Sequence, residues 1–180
     1  MGTRRNGLVF LALLVPSMAG AHEHNRAVFL GPSGRTGGSK LWGVHGSFEQ
    51  VWGHHKHVDP SDCSVQHLSI VVDASAHFRS KDGFTLTAGP RYTFMGSNCP
   101  GTTHFPKPVF SVYVLPGAQK IKGATDDSWR LAVAAGAQLD ILVRREDGIR
   151  VQVDVIRKVG GVDATYVRVS AGLLLRFFDD

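Results

Sequence analysis

From Ile149 to Val155 the chain alternates at every position. Ile149, Val151, Val153 and Val155 fall on one side, and Arg150, Gln152 and Asp154 fall on the other. A period of two is the mark of a β-strand with two unlike faces. The pattern recurs. Over 166–177, Val167, Val169, Ala171, Leu173, Leu175 and Phe177 oppose Arg168, Ser170, Gly172, Leu174 and Arg176. Over 130–141, Leu131, Val133, Ala135, Ala137, Leu139 and Ile141 oppose Arg130, Ala132, Ala134, Gly136, Gln138 and Asp140. Over 67–78, Leu68, Ile70, Val72, Ala74, Ala76 and Phe78 oppose His67, Ser69, Val71, Asp73, Ser75 and His77. Phe84, Leu86, Ala88, Pro90, Tyr92 and Phe94 oppose Thr85, Thr87, Gly89, Arg91 and Thr93, and Trp42, Val44, Phe48 and Trp52 oppose His45, Ser47 and Glu49.

Helical periodicity is nearly absent. Turn-forming clusters separate the alternating runs: HVDPSD, SKDG, MGSNCPGTT, GATDD, REDG and VGGVDA. Strands are therefore expected near 26–31, 40–52, 65–79, 83–95, 108–121, 128–143, 148–158 and 164–178, the first followed by a flexible GPSGRTGGS. Evenly spaced strands joined as hairpins give an antiparallel sandwich or barrel. No domain boundary or internal repeat interrupts the series.

Alternation alone does not say which face is inside. A soluble sandwich turns its apolar face inward, whereas a membrane barrel turns it toward lipid. Three features favour the barrel. The apolar rows run for about five or six positions, which suits the roughly 9–11 tilted residues of a bilayer-crossing strand. The polar rows mix small residues with charges of both signs, as a narrow lumen filled by its own side chains requires. Aromatic residues stand at strand ends, where interfacial girdles form: Trp42, Trp52, Phe84, Phe94, Trp129, Tyr166, Phe177 and Phe178. In lipid every backbone N–H and C=O must pair within the protein, so the sheet has to close. The expected fold is all-β, an eight-stranded antiparallel up-and-down transmembrane β-barrel. Its lumen would hold a charge network of Glu49, Asp73, Arg91, Arg130, Asp140, Arg150, Asp154, Arg168 and Arg176.

The N-terminus has the layout of an export signal. Arg4 and Arg5 precede the apolar run Leu8–Val15, Pro16 breaks it, and Ala19-Gly20-Ala21 is a small-residue cleavage pattern. Residues 1–21 are read as a cleaved signal peptide and 22–180 as the barrel domain. Losing Arg4 and Arg5 lowers the formal charge from +5 to +3. With no Lys/Arg run, that excludes a nucleic-acid partner. No apolar stretch reaches the roughly 18 residues of a spanning helix. Cys63 and Cys99 lie in turn-rich segments of an exported chain, so a disulfide between them is expected. Parity puts both at the same end of the barrel.

TLTAGPRYTF (85–94), LAVAAGAQLDILV (131–143), IRVQVDVI (149–156) and YVRVSAGLLLRF (166–177) together resemble small bacterial outer-membrane β-barrel proteins. The similarity is to the group built like the eight-stranded transmembrane domain of outer membrane protein A, and it covers about 65–178. The resemblance implies the bacterial outer membrane as location, its lipid as a partner, and assembly machinery that reads a last strand ending in an aromatic residue. Phe177 and Phe178 match that ending, with Asp179 and Asp180 departing from it. The group has no common catalytic site or cofactor to carry over.

Three chemistries are open to the residues themselves. His54, His55 and His57 cluster with Asp59 and Asp62 and offer ligands for Zn²⁺, Cu²⁺ or Ni²⁺. His67 and Ser69 face one way, with Glu49 on the neighbouring strand. This is similar to His–Ser–Glu hydrolases built on outer-membrane barrels that deacylate lipid A. The flanking residues of that family are missing, and the pair points into the lumen. The lumen charges are also a candidate conduction path, though five arginines there favour a packed polar core. The expected function is non-enzymatic, a monomeric structural or surface-interaction role in the envelope. The alternatives are a soluble exported barrel that binds a small apolar ligand, or a narrow pore.

Overall fold

The computed structural model describes residues 26–36, 41–54, 67–78, 83–95, 106–121, 129–144, 146–159 and 165–177. These form eight strands: β1 (Arg26–Thr36), β2 (Leu41–His54), β3 (His67–Phe78), β4 (Gly83–Met95), β5 (Lys107–Ile121), β6 (Trp129–Leu142), β7 (Asp147–Lys158) and β8 (Thr165–Phe177). Each pairs antiparallel with the next, and β8 pairs with β1 to close the barrel. The β1–β8 pairing removes the open sheet edge among the described strands. One mouth carries the start of β1, the end of β8 and the tight β6–β7 turn, where the Val143 and Arg144 amides donate to the Asp147 carbonyl at 3.1 Å. The other mouth carries the β1–β2, β3–β4, β5–β6 and β7–β8 connections.

The first strand is longer than the sequence suggests. Gly31, Pro32, Ser33 and Gly34 read as breakers, yet the ladder to β2 runs through them, pairing Pro32 with Val44, Ser33 with Gly43, Gly34 with Trp42 and Arg35 with Leu41. The flexible GPSGRTGGS expected after 26–31 is thereby corrected: its first six residues, Gly31 to Thr36, continue β1. The prolines leave their mark on the other side of the strand. The β1–β8 ladder passes from Leu30–Leu173 to Ser33–Ser170, stepping over Pro32. The β4–β5 ladder likewise passes from Thr87–Gly117 to Arg91–Tyr113, around Pro90 and Pro116. A proline has no N–H to give a ladder. At the first of these gaps Gly31 and Gly172 let the strands approach closely, since a Cβ on either would strike the other strand's backbone.

The apolar rows face outward. Val153 is 45% exposed, Leu173 68% and Leu175 49%, whereas Arg150 and Arg168 are 1% and 0% exposed. That is the inverse of a water-soluble domain, in which charged groups stay hydrated and large apolar patches are covered. The lumen is not wholly polar. Phe29, Leu115, Leu142, Ile156 and Leu174 are buried inside it and form two small clusters with Tyr113, Tyr166 and several alanines. These inward apolar side chains fill volume that the charged groups leave.

At the mouth away from β1's start, Trp42, Phe78, Phe84 and Trp129 are exposed and form an aromatic belt. Trp42 stands opposite Phe78, and Phe84 meets Trp129 edge to face at 5.7 Å. Toward the other mouth, Tyr92 and Phe177 are exposed. Tyr166 corrects the expected girdle. It lies on the inward row of β8 and is only 3% exposed, because Val167 takes the outward position. The side chains of Trp52 and Phe94, and all of Phe178, lie outside the described residues.

Candidate functional site

The inward polar side chains form three tiers along the barrel axis. In the middle tier the Arg168 Nε donates to Asp154 Oδ2 at 2.6 Å, and its Nη1 stands 3.0 Å from Asp73 Oδ1. His45 pairs with Asp73 through Nε2. Gln152 Nε2 donates to Asp73 at 3.3 Å and to Asp154 at 3.2 Å. Register explains the meeting: Asp154 is directly opposite Arg168, and Gln152 opposite Ser170.

The tier nearer β1's start is built on Arg150. Its Nε and Nη2 grip Asp140 at 2.7 and 2.9 Å, the two-pronged geometry that suits a carboxylate. Its Nη1 donates to Ser47 at 3.3 Å and its Nη2 to Glu49 at 3.4 Å. Glu49 also forms an ion pair with Arg91. Gln138 donates to Asp140 at 3.4 Å.

The third tier, toward the aromatic belt, is built on Arg35 and Tyr166. The Arg35 guanidinium lies 3.5 Å above the Tyr166 ring centroid. The Tyr166 hydroxyl accepts from Gln119 Nε2 at 2.9 Å and bonds Thr85 at 3.2 Å. Ser33 bonds His77 at 3.3 Å.

Seven of the nine charged residues expected in the lumen are buried and joined in the first two tiers: Glu49, Asp73, Arg91, Asp140, Arg150, Asp154 and Arg168. Arg130 and Arg176 share the inward rows but sit half-buried near opposite mouths. Sequence reasoning missed Arg35, which it placed in a loop, and the ring of Tyr166 beneath it. It placed His45 and His77 inward without assigning partners. The partners depend on stagger between strands, which alternation does not reveal.

His67, Ser69 and Glu49 are all buried in the wall. The Ser69 hydroxyl donates to the Arg91 carbonyl at 3.5 Å, and Glu49 is committed to Arg91 and Arg150. His54 ends β2, but its side chain is outside the described residues, as are His55 and His57. Among the described residues no group of three potential metal ligands comes together. Cys63, Cys99 and the proposed signal segment also fall outside them.

No protein-family model matches the chain, and no curated protein sequence does. Solved structures do match. The outer membrane enzyme PagL superposes with a TM-score of 0.57 at 10% identity, over 82% of this chain and 98% of that one. Neisserial surface protein A gives 0.52 at 11% identity, over 86% and 97%. The N-terminal β-barrel domain of Pseudomonas aeruginosa OprF gives 0.51 at 14% identity, over 87% and 100%. At such identities the likeness is one of fold: the eight-stranded barrel of outer-membrane proteins.

Proposed function

We propose that this chain, folded as the eight-stranded barrel of outer-membrane proteins, is an exported bacterial outer-membrane protein with a structural or surface-interaction role. The observation that carries the reading is the inside-out distribution of its side chains. Val153, Leu173 and Leu175 face out, while Arg150, Arg168, Asp73 and Asp154 are enclosed and paired. Hydrocarbon outside and a sealed polar interior satisfy both sets at once. The soluble alternative needs an inward apolar cavity, and the apolar rows do not face that way.

The lumen is filled rather than open. Across it Arg150 reaches Glu49 on β2 and Arg168 reaches Asp73 on β3, with Phe29 packed against His45 at 5.1 Å. This supports a closed barrel in preference to a pore. A non-catalytic role is supported by the state of the one hydrolase-like trio. Glu49 is held by two arginines, and Ser69 is enclosed on the lumen side, away from any lipid chain.

Membrane fractionation followed by unboiled gel electrophoresis tests the reading. A detergent-extracted species whose mobility changes on heating is expected. Recovery of the whole population in the soluble periplasm would overturn it.

A further inference from the structure

Two of the eight strand pairings are interrupted in mid-strand, and they lie opposite one another. The β1–β8 ladder lacks its pairs between Leu30–Leu173 and Ser33–Ser170, and the β4–β5 ladder lacks its pairs between Thr87–Gly117 and Arg91–Tyr113. In the closed order, four strands separate these two walls in either direction. The other six ladders run without a gap, apart from a bulge in β2 between Val51 and Gly53.

Proline accounts for both interruptions. Pro32 keeps its pair with Val44 on β2, Pro90 its pair with Ile70 on β3, and Pro116 its pair with Val133 on β6. The missing N–H of each therefore falls on the strand's other side, toward β8, β5 and β4 respectively. The two seams divide the wall into half-shells, β1–β4 and β5–β8, each continuous within itself. What joins the half-shells elsewhere is the lumen. Arg168 on β8 stands 3.0 Å from Asp73 on β3, Gln152 on β7 donates to the same Asp73 at 3.3 Å, and Arg150 on β7 donates to Glu49 on β2 at 3.4 Å. Thr85 on β4 bonds Tyr166 on β8 at 3.2 Å. Bonds between ionised groups are stronger than those between neutral backbone groups, so these links hold the halves where the ladders are thin.

We propose that the barrel moves as two four-stranded half-shells, hinged along the proline seams and clasped across the lumen by Arg168–Asp73 and Arg150–Glu49. Local opening starts where backbone bonds are fewest, so the seams part before any other wall. The proposal concerns motion of the wall and goes beyond the envelope role.

Amide hydrogen exchange tests it, read residue by residue by NMR on the full mature chain refolded in an uncharged detergent. N–H groups alternate between the two neighbours of a strand, so those of Ala88 and Val114 face the β4–β5 seam and that of Ala171 faces the β1–β8 seam. Each should exchange at least about fivefold faster than Val72 of β3 and Val153 of β7, the equivalent of one lost ladder bond. Pro90→Val combined with Pro116→Val restores two donors, and should slow Ala88 and Val114 while leaving Ala171 unchanged. Arg168→Met releases the clasp and should speed the amides of both seams, the distant β4–β5 seam included, more than those of Val72 and Val153. If Arg168→Met fails to refold, the proline variant decides alone. Seam amides as slow as Val72 and Val153, no slowing in the proline variant, or an equal gain at every position in Arg168→Met overturns the proposal.

Discussion

Arg35 and Arg168 are direct cross-strand partners on β1 and β8, yet their guanidiniums go to different tiers. Like charges placed opposite one another destabilise a strand pair. Here the conflict is relieved by separation. Arg168 turns to Asp154 and Asp73, and Arg35 lies on the Tyr166 ring. Tyr166 thus acts as the counterpart that a carboxylate supplies elsewhere in the lumen.

Two substitutions at Tyr166 separate its ring from its hydroxyl. Tyr166→Phe keeps the surface under Arg35 but strips the acceptor from Gln119 and the partner from Thr85. A loss of about 1–3 kcal/mol is expected for leaving buried groups unmatched. Tyr166→Leu removes the ring as well and should lower stability further, by about 0.5–2 kcal/mol for the lost cation–π contact. Urea unfolding of the refolded barrel, followed by tryptophan fluorescence, checks the order. Equal midpoints for the two variants would remove the role assigned to the ring.

The middle tier makes a sharper test. Arg168→Met leaves Asp73 and Asp154 enclosed without their cation, and about 3–5 kcal/mol of destabilisation is expected from an uncompensated buried charge. Adding Asp73→Asn and Asp154→Asn in the same background removes the stranded charges and should recover much of the loss. A triple variant no more stable than Arg168→Met would mean that the pairing is not what holds this tier.

Much of the fold can be read from the sequence because β-strand parity is rigid. Once Val153 is assigned outward, Gln152 and Asp154 must face in, and the structure places them so. The nine-residue charge set follows from the same parity, and its burial at seven positions needs no further information. Two things resist that reading. Proline and glycine at 31–34 look like a loop from sequence alone, because local propensity does not register the ladder that β2 provides. The stagger between strands decides that Arg35 reaches Tyr166 and that His45 reaches Asp73, and it is a property of closure rather than of any one strand.

Gly136 is the position where a missing side chain matters most to the middle tier. A Cβ there would come within 2.6 Å of both Asp154 Oδ1 and the Tyr113 hydroxyl, with the Val153 carbonyl nearer still. Gly136→Val should therefore exceed the roughly 1–3 kcal/mol of ordinary overpacking, since backbone as well as side chain must yield. Gly34→Ala is the contrast. The nearest atom to its Cβ is Trp42 Cζ3 at 3.9 Å, an ordinary contact. Refolding yield into detergent should fall sharply for the first variant and stay at the wild-type level for the second.

The direction of the apolar rows can be tested by charge at two depths. Val153 lies midway along β7 and is exposed to the surroundings, and Val159 stands just past the strand's end at the rim. If hydrocarbon surrounds the barrel, Val153→Arg places a cation at the bilayer centre and should cost about 2–4 kcal/mol, against about 0–1 kcal/mol for Val159→Arg near the interface. In water the two changes would be alike, because an arginine on a solvated strand face loses nothing. Urea unfolding in phospholipid vesicles measures the difference. A markedly larger cost for Val153→Arg than for Val159→Arg in vesicles is the outcome that membrane burial requires, and equal costs there would place the outward face in water.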